Sequence, residues 1–263
     1  MTAPALQRPM LFVHGYLGWA DQGRPLADYF AGNPANRVGA TFRSGHEDEF
    51  RQSVRENPPG TVYSIALSDS RASYTEVAHE LSEAVEILNR ETGQEVDVVA
   101  HSMGGLVTRE HLDGDQDGIH DVFFLGTPNR GVPGTIGAKL LSSVLGSAPE
   151  ALLADRTPIT SGHNPHLAGL NRRWPGQRAK LHQAYTVAGT RLPTASSEFP
   201  FLSPGDGVVA ARSVDLEGAH NLRVRDLDPF SLPLEDNHLS LLTNPKVLAF
   251  IGEAVTDSGT FPP

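Results

Sequence analysis

Ser102 stands in the run Val98-Val99-Ala100-His101-Ser102-Met103-Gly104-Gly105-Leu106. The β-branched stretch over 96–100 reads as a short buried strand, and a helical pattern (Leu106, Val107, Glu110, His111) starts directly behind it. Strand, serine, helix is the layout of a nucleophile elbow, which lifts a serine hydroxyl out at the carboxyl end of a sheet. Such a turn needs neighbours that are nearly bare, and Ala100 and Gly104 supply them. It also sets the Met103 N–H at a helix start, where negative charge is stabilised. The plain alternative is a strand-to-helix turn with a capping serine.

A serine attacks only when a base takes its proton, and the base needs a carboxylate to fix its tautomer and steady its charge. In the order serine, acid, histidine, each partner should lie in a loop just after a strand. The chain has 11 histidines. His238 is singled out because it follows the last expected strand and precedes the last helix. His220 comes before that strand and would face the opposite sheet edge. His101 reads as a packed neighbour of the serine, and His163, His166 and His182 as surface or cap packing. Asp206, in Pro204-Gly205-Asp206-Gly207, is the candidate acid, with Asp226, Asp228 and Asp236 as rivals. Acyl transfer also needs two N–H donors aimed at a developing oxyanion. One is Met103; the other falls in the loop His14-Gly15-Tyr16 behind the first strand, at Tyr16.

Elements that could position these residues alternate along the chain. Strands are expected over 10–13, 38–42, 62–67, 96–100, 122–125, 185–188 and 222–224, and helices over 25–30, 46–57, 74–90 and 246–255. That alternation predicts one α/β domain over 1–263, a mainly parallel central sheet flanked by helices. The stretch 132–180 shows no strand. Ile136, Leu140, Leu141, Val144 and Leu145 fall on one helical face there, which marks a helical cap or lid insertion. The stretch 192–204 reads as a Pro/Ser-rich loop. The stretch 113–121 carries the aspartates of a calcium loop but lacks the closing glutamate.

Composition narrows the classes of function. The 263 residues carry a formal net charge of -10, which argues against nucleic acid as a partner. No apolar run is long enough for a transmembrane segment, although transient contact with a lipid interface stays open. With no cysteine, disulfides, thiolate metal sites and a cysteine nucleophile drop out. The apolar run 9–13 is too short for a signal peptide, so a cytoplasmic protein or a mature secreted form is expected.

Five segments in order resemble the bacterial lipase and esterase branch of the α/β-hydrolases. They are Val-His-Gly-Tyr-Leu-Gly (13–18), Ala-His-Ser-Met-Gly-Gly (100–105), Gly-Thr-Pro-Asn-Arg-Gly (126–131), Gly-Asp-Gly-Val-Val (205–209) and Asn-His-Leu-Ser-Leu-Leu (237–242). The resemblance implies an α/β-hydrolase fold and hydrolysis of small-molecule or lipid carboxylic esters without a cofactor. It implies Ser102 as nucleophile, Asp206 as acid, His238 as base, and the Tyr16 and Met103 N–H groups as oxyanion hole. The cap face Ile136, Leu140, Leu141, Val144, Leu145 would then bind the acyl chain. Calcium-dependent members carry an aspartate two residues after the histidine; this chain has Ser240, so no metal is expected. The same triad would also serve an acyltransferase or thioesterase, and a non-catalytic binding protein could keep the same fold.

Overall fold

The apolar runs become strands of one sheet. The computed structural model describes residues 3–115, 117–133, 160–161, 164–195, 202–225 and 235–256. In chain order the strands are β1 (Met10–Val13), β2 (Arg37–Phe42), β3 (Thr61–Ile65), β4 (Val96–His101), β5 (Ile119–Leu125), β6 (Val132–Pro133), β7 (Thr160–Ser161), β8 (Gln183–Gly189), β9 (Leu192–Ala195), β10 (Leu202–Gly205) and β11 (His220–Val224). Seven form the central sheet in the order β11-β8-β5-β4-β1-β3-β2. Every pairing within it is parallel. All carboxyl ends therefore share one edge.

Side-chain alternation splits the core into two layers. Leu11 and Val13 point to one face and join residues of four helices there: α2 (Glu47–Glu56), α3 (Tyr74–Thr92), α4 (Met103–Asp113) and α5 (Pro165–Arg172). Trp174, from α6 (Trp174–Ala179), packs in the same layer. Met10 and Phe12 point to the other face and meet α1 (Arg24–Ala31) and α9 (Pro245–Ala254). Two further short α-helices are α7 (Ala211–Val214) and α8 (Glu235–Ser240), and a 3-10 turn spans Ala20–Gly23. A capping box starts α3: Ser73 accepts from the Glu76 N–H, and the Glu76 carboxylate accepts from the Ser73 N–H.

Several expectations change in detail. The stretch 192–204 holds an antiparallel pair, β9 with β10, in which Pro193 faces Pro204. Proline cannot donate to a ladder, so paired prolines look like loop in sequence. Asp121 belongs to β5 rather than to a polar loop, and it is buried. Two other acids of 113–121 have separate partners: Asp113 pairs with Arg173, and Asp117 lies 3.7 Å from Lys180. In the stretch 132–180, α5 and α6 pack in the core through Leu167, Leu170 and Trp174. Ile136, Leu140, Leu141, Val144 and Leu145 lie outside the described residues.

Arg109 on α4 ties these helices together. Fully buried, it donates to Gln177 Oε1 (3.2 Å), Asn171 Oδ1 (2.8 Å), Asn129 Oδ1 (3.2 Å) and the Leu170 carbonyl (3.0 Å). Its guanidinium also lies 5.4 Å from the Trp174 ring centroid. Burial pulls its pKa down to about 10, so the cation persists at neutral pH. Four neutral acceptors and an aromatic face take the place of the missing carboxylate.

His111, also on α4, contacts α3. Ser82 Oγ donates to the Ala78 carbonyl and accepts from His111 Nδ1 at 2.9 Å. Burial pushes the His111 pKa down to about 4 from 6.5. Below pH 6.5 the unfolded chain takes up a proton that the folded chain refuses, so stability falls as pH drops toward about 4. Denaturant midpoints measured from pH 7.5 to pH ~4.5 should fall, and the fall should be shallower in His111→Gln. An identical slope in the variant would place the acid sensitivity in other groups.

Candidate active site

The chain leaves β4 through a strained serine. Ser102 has φ 54° and ψ -125°, a conformation that costs an L-residue about 1–3 kcal/mol. Hydrogen bonds and close packing hold it there. The Ser102 N–H donates to the Leu125 carbonyl at the end of β5 (2.9 Å), and the Gly105 N–H donates to the Ser102 carbonyl (3.1 Å). A Cβ at Gly104 would lie 2.5 Å from the Val13 carbonyl oxygen, so only glycine lets α4 start this close to β1.

The loop behind β1 presses on the serine from the other side. A Cβ at Gly15 would come within 2.7 Å of Ser102 Cβ and 3.3 Å of its Oγ. His14 locks this loop. Its Nδ1–H donates to the Gly15 carbonyl (2.9 Å), and its Nε2 accepts from the Leu67 N–H (3.2 Å). Burial lowers the His14 pKa, in keeping with a neutral ring that has one donor and one acceptor. The Leu17 N–H donates to the Ser70 carbonyl (2.9 Å). The N–H groups of Tyr16 and Met103 have no hydrogen-bond partner among the described residues.

Asp206 and His238 meet at the same edge. Asp206 is completely buried just after β10. Its Oδ1 accepts from the Val208 and Val209 N–H groups (3.0 and 2.7 Å), which fixes the carboxylate plane. Its Oδ2 accepts from His238 Nδ1 at 2.7 Å. That distance is typical of a charge-assisted bond. His238 sits on α8, a helix where the sequence reading has a loop. Its ring rests on Gly126, where a Cβ would come within 2.8 Å of His238 Cε1. Gly126 follows Leu125, whose carbonyl holds the Ser102 N–H, so ring and serine flank one strand end. His238 Nε2 is buried and without a hydrogen-bond partner among the described residues, the Ser102 hydroxyl included.

His101 backs the pair. Its ring centroid lies 4.6 Å from that of His238, and its Nε2–H donates to the His238 carbonyl (3.2 Å). Burial drives its pKa well below 6.5, with proximity to His238 acting in the same direction. A neutral His101 adds no repulsion to an imidazolium beside it.

Three other histidines stand elsewhere, and His163 lies outside the described residues. His220 opens β11 at the opposite edge, stacked on Tyr185 and bonded to Gln183 Oε1. His166 pairs with Glu110, and His182 with Asp121. Asp226 and Asp228 lie outside the described residues. His14 and Asn129 carry positioning roles that sequence alone did not assign. Asn129 links Arg109 to the Val214 carbonyl, and its only prior signal is a place in Gly-Thr-Pro-Asn-Arg-Gly.

With this geometry in hand, the likeness to known proteins becomes specific. The sequence matches the model of the Alpha/beta hydrolase family over residues 10–245. The chain belongs to the alpha/beta hydrolase family. A lipase of Bacillus licheniformis, BlEst2 in its mature form, is 17% identical, with a TM-score of 0.60 over 97% of this chain and 94% of that one. The lin2722 gene product of Listeria innocua is 17% identical, with a TM-score of 0.59 over 97% and 96%. Lipase B of Aspergillus fumigatus is 15% identical, with a TM-score of 0.56 over 96% of this chain and 53% of that one. At such identities the likeness establishes the fold. No curated protein sequence matches the chain. No described helix is long and apolar enough to cross a membrane.

The buried Asp206 predicts a stability effect. Asp206→Ala would leave two backbone N–H groups and His238 Nδ1–H without their acceptor, at a cost of about 2–4 kcal/mol. Asp206→Asn, which keeps one acceptor oxygen, should cost less. Denaturant titration of both variants checks this, and equal stability of Asp206→Ala and wild type would contradict it.

Proposed function

We propose that the chain is a serine hydrolase of carboxylic esters, with Ser102 as nucleophile, His238 as general base and Asp206 as its orienting acid. The observation that carries this reading is the 2.7 Å Asp206–His238 bond at the sheet edge where Ser102 is held in its strained turn. Asp206 fixes the tautomer with Nδ1 protonated, so the Nε2 lone pair is free to take the serine proton. The hydroxyl oxygen then adds to the ester carbonyl carbon. The resulting oxyanion lies against the N–H groups of Tyr16 and Met103, which the reading assigns as its two donors.

Collapse of the tetrahedral adduct expels the alcohol, which takes its proton from His238 Nε2 and leaves an acyl group on Ser102. Water repeats the sequence: His238 removes its proton, the acid departs, and the serine oxygen regains a proton. Every step uses side chains and backbone of this chain alone. We assign the acyl-binding wall to the insertion expected over 132–180, on the sequence pattern of Ile136, Leu140, Leu141, Val144 and Leu145. Each buried methylene contributes about 0.8 kcal/mol, so such a wall favours medium and long acyl chains over acetate.

Turnover of p-nitrophenyl esters of graded chain length tests both parts. Ser102→Ala should lower kcat by about 10⁴-fold or more with the fold intact. Near-normal turnover in that variant would move the chemistry to another residue. Leu145→Asp should depress activity on long-chain esters more than on acetate. Equal losses on both, with a lower melting temperature, would assign Leu145 to the core instead.

A further inference from the structure

The amino-terminal edge of the sheet carries a second cluster of chemically capable groups. β5 begins at Ile119 and β8 at Gln183, so His120, Asp121 and His182 gather at the edge opposite Ser102. His182 Nδ1 lies 3.0 Å from Asp121 Oδ1, and His120 Nδ1 lies 3.1 Å from the same oxygen. The two imidazoles are 4.5 Å apart, tilted by 33°. Asp97, at the start of β4, adds a buried carboxylate 3.7 Å from His120 Nδ1.

Hydrogen bonding accounts for only part of this convergence. Asp121 Oδ1 already accepts from the Gln183 N–H at 2.8 Å and from His182 Nδ1. His120 Nδ1 is buried beside that oxygen, yet it makes no hydrogen bond of acceptable geometry. Asp121 Oδ2 takes part in none of these contacts. Asp97 bonds Arg8 at 3.2 Å, whereas the side chains against Asp121 Oδ1 are the two imidazoles. Among the described residues no arginine or lysine is paired with Asp121, and two imidazoles converge on its single oxygen Oδ1.

The spacing fits a metal ion. Ligands about 2.0–2.1 Å from a tetrahedral zinc lie about 3.3 Å from one another. The separations here are 3.0, 3.1 and 3.7 Å, and the donor atoms of His120, Asp121 and His182 all lie within 4.8 Å of one another. We propose that His120, Asp121 and His182, with Asp97 alongside, form a binding site for a divalent transition-metal ion of the zinc class. Imidazole nitrogen with carboxylate oxygen selects zinc over calcium or magnesium, which take oxygen ligands. The ion would replace the protons between His120, His182 and Asp121. Its ligands would span β4, β5 and the lead into β8, so it would clamp the sheet edge remote from Ser102. The site is independent of the proposed reaction.

Zinc chloride titrated by calorimetry into chelator-treated full-length protein tests this. One equivalent should bind, and the melting temperature should rise by roughly 5 °C or more at a free zinc concentration about a hundred times the Kd. His182→Ala and His120→Ala should each weaken binding by at least about tenfold and remove the thermal shift. The His182 side chain is 42% exposed, so its loss leaves the fold in place, which circular dichroism checks. Cobalt(II) should give the intense visible bands of tetrahedral coordination in wild type and not in His182→Ala. Absence of zinc binding, or binding unchanged in both variants, would overturn the proposal.

Discussion

The turn at Ser102 sets the terms for everything around it. A strand buried on both faces must become a helix within one residue, and it does so only through a backbone conformation that L-residues rarely adopt. Three neighbours pay that cost jointly. β5 accepts the Ser102 N–H, glycine at 104 lets α4 lie against β1, and glycine at 15 lets the loop behind β1 close on the side chain. Strands β1, β4 and β5 are adjacent in the sheet, so the turn is braced by its nearest neighbours on both sides.

The parallel sheet supplies the second constraint. With all seven strands pointing one way, the segments behind β1, β4 and β5 arrive at one edge. Asp206 and His238 are 32 residues apart and still bond at 2.7 Å, because β10 and α8 both approach that edge. The opposite edge gathers groups by the same rule, and His120, Asp121, His182 and Asp97 meet there. Each edge thus collects chemistry from distant sequence, the carboxyl edge around Ser102 and the amino edge around Asp121.

The turn at Ser102 is announced in sequence, and the meeting of His120, Asp121 and His182 is not. A strand followed by Ala-His-Ser-Met-Gly is a local signal, since the turn geometry restricts its own neighbours. Order along the chain singled out Asp206 and His238, and the geometry joins these two among the described residues. Long-range pairings leave no such trace. Arg109 has ordinary helical spacing, and nothing local tells that Asn129, Asn171 and Gln177 will converge on it. His120 and His182 lie 62 residues apart and become neighbours only because β5 pairs with β8 in register. The β9–β10 pair was obscured by its prolines, and α5 and α6 by a loop-like composition that hides Leu167, Leu170 and Trp174 as core.

The central claim is that the base at His238 makes one particular serine nucleophilic. Treatment with a fluorophosphonate, followed by intact mass and peptide mapping, reads this directly. The account predicts one adduct per chain, on Ser102, and loss of labelling in His238→Ala. No adduct on folded protein, or an adduct on a different serine, would contradict it.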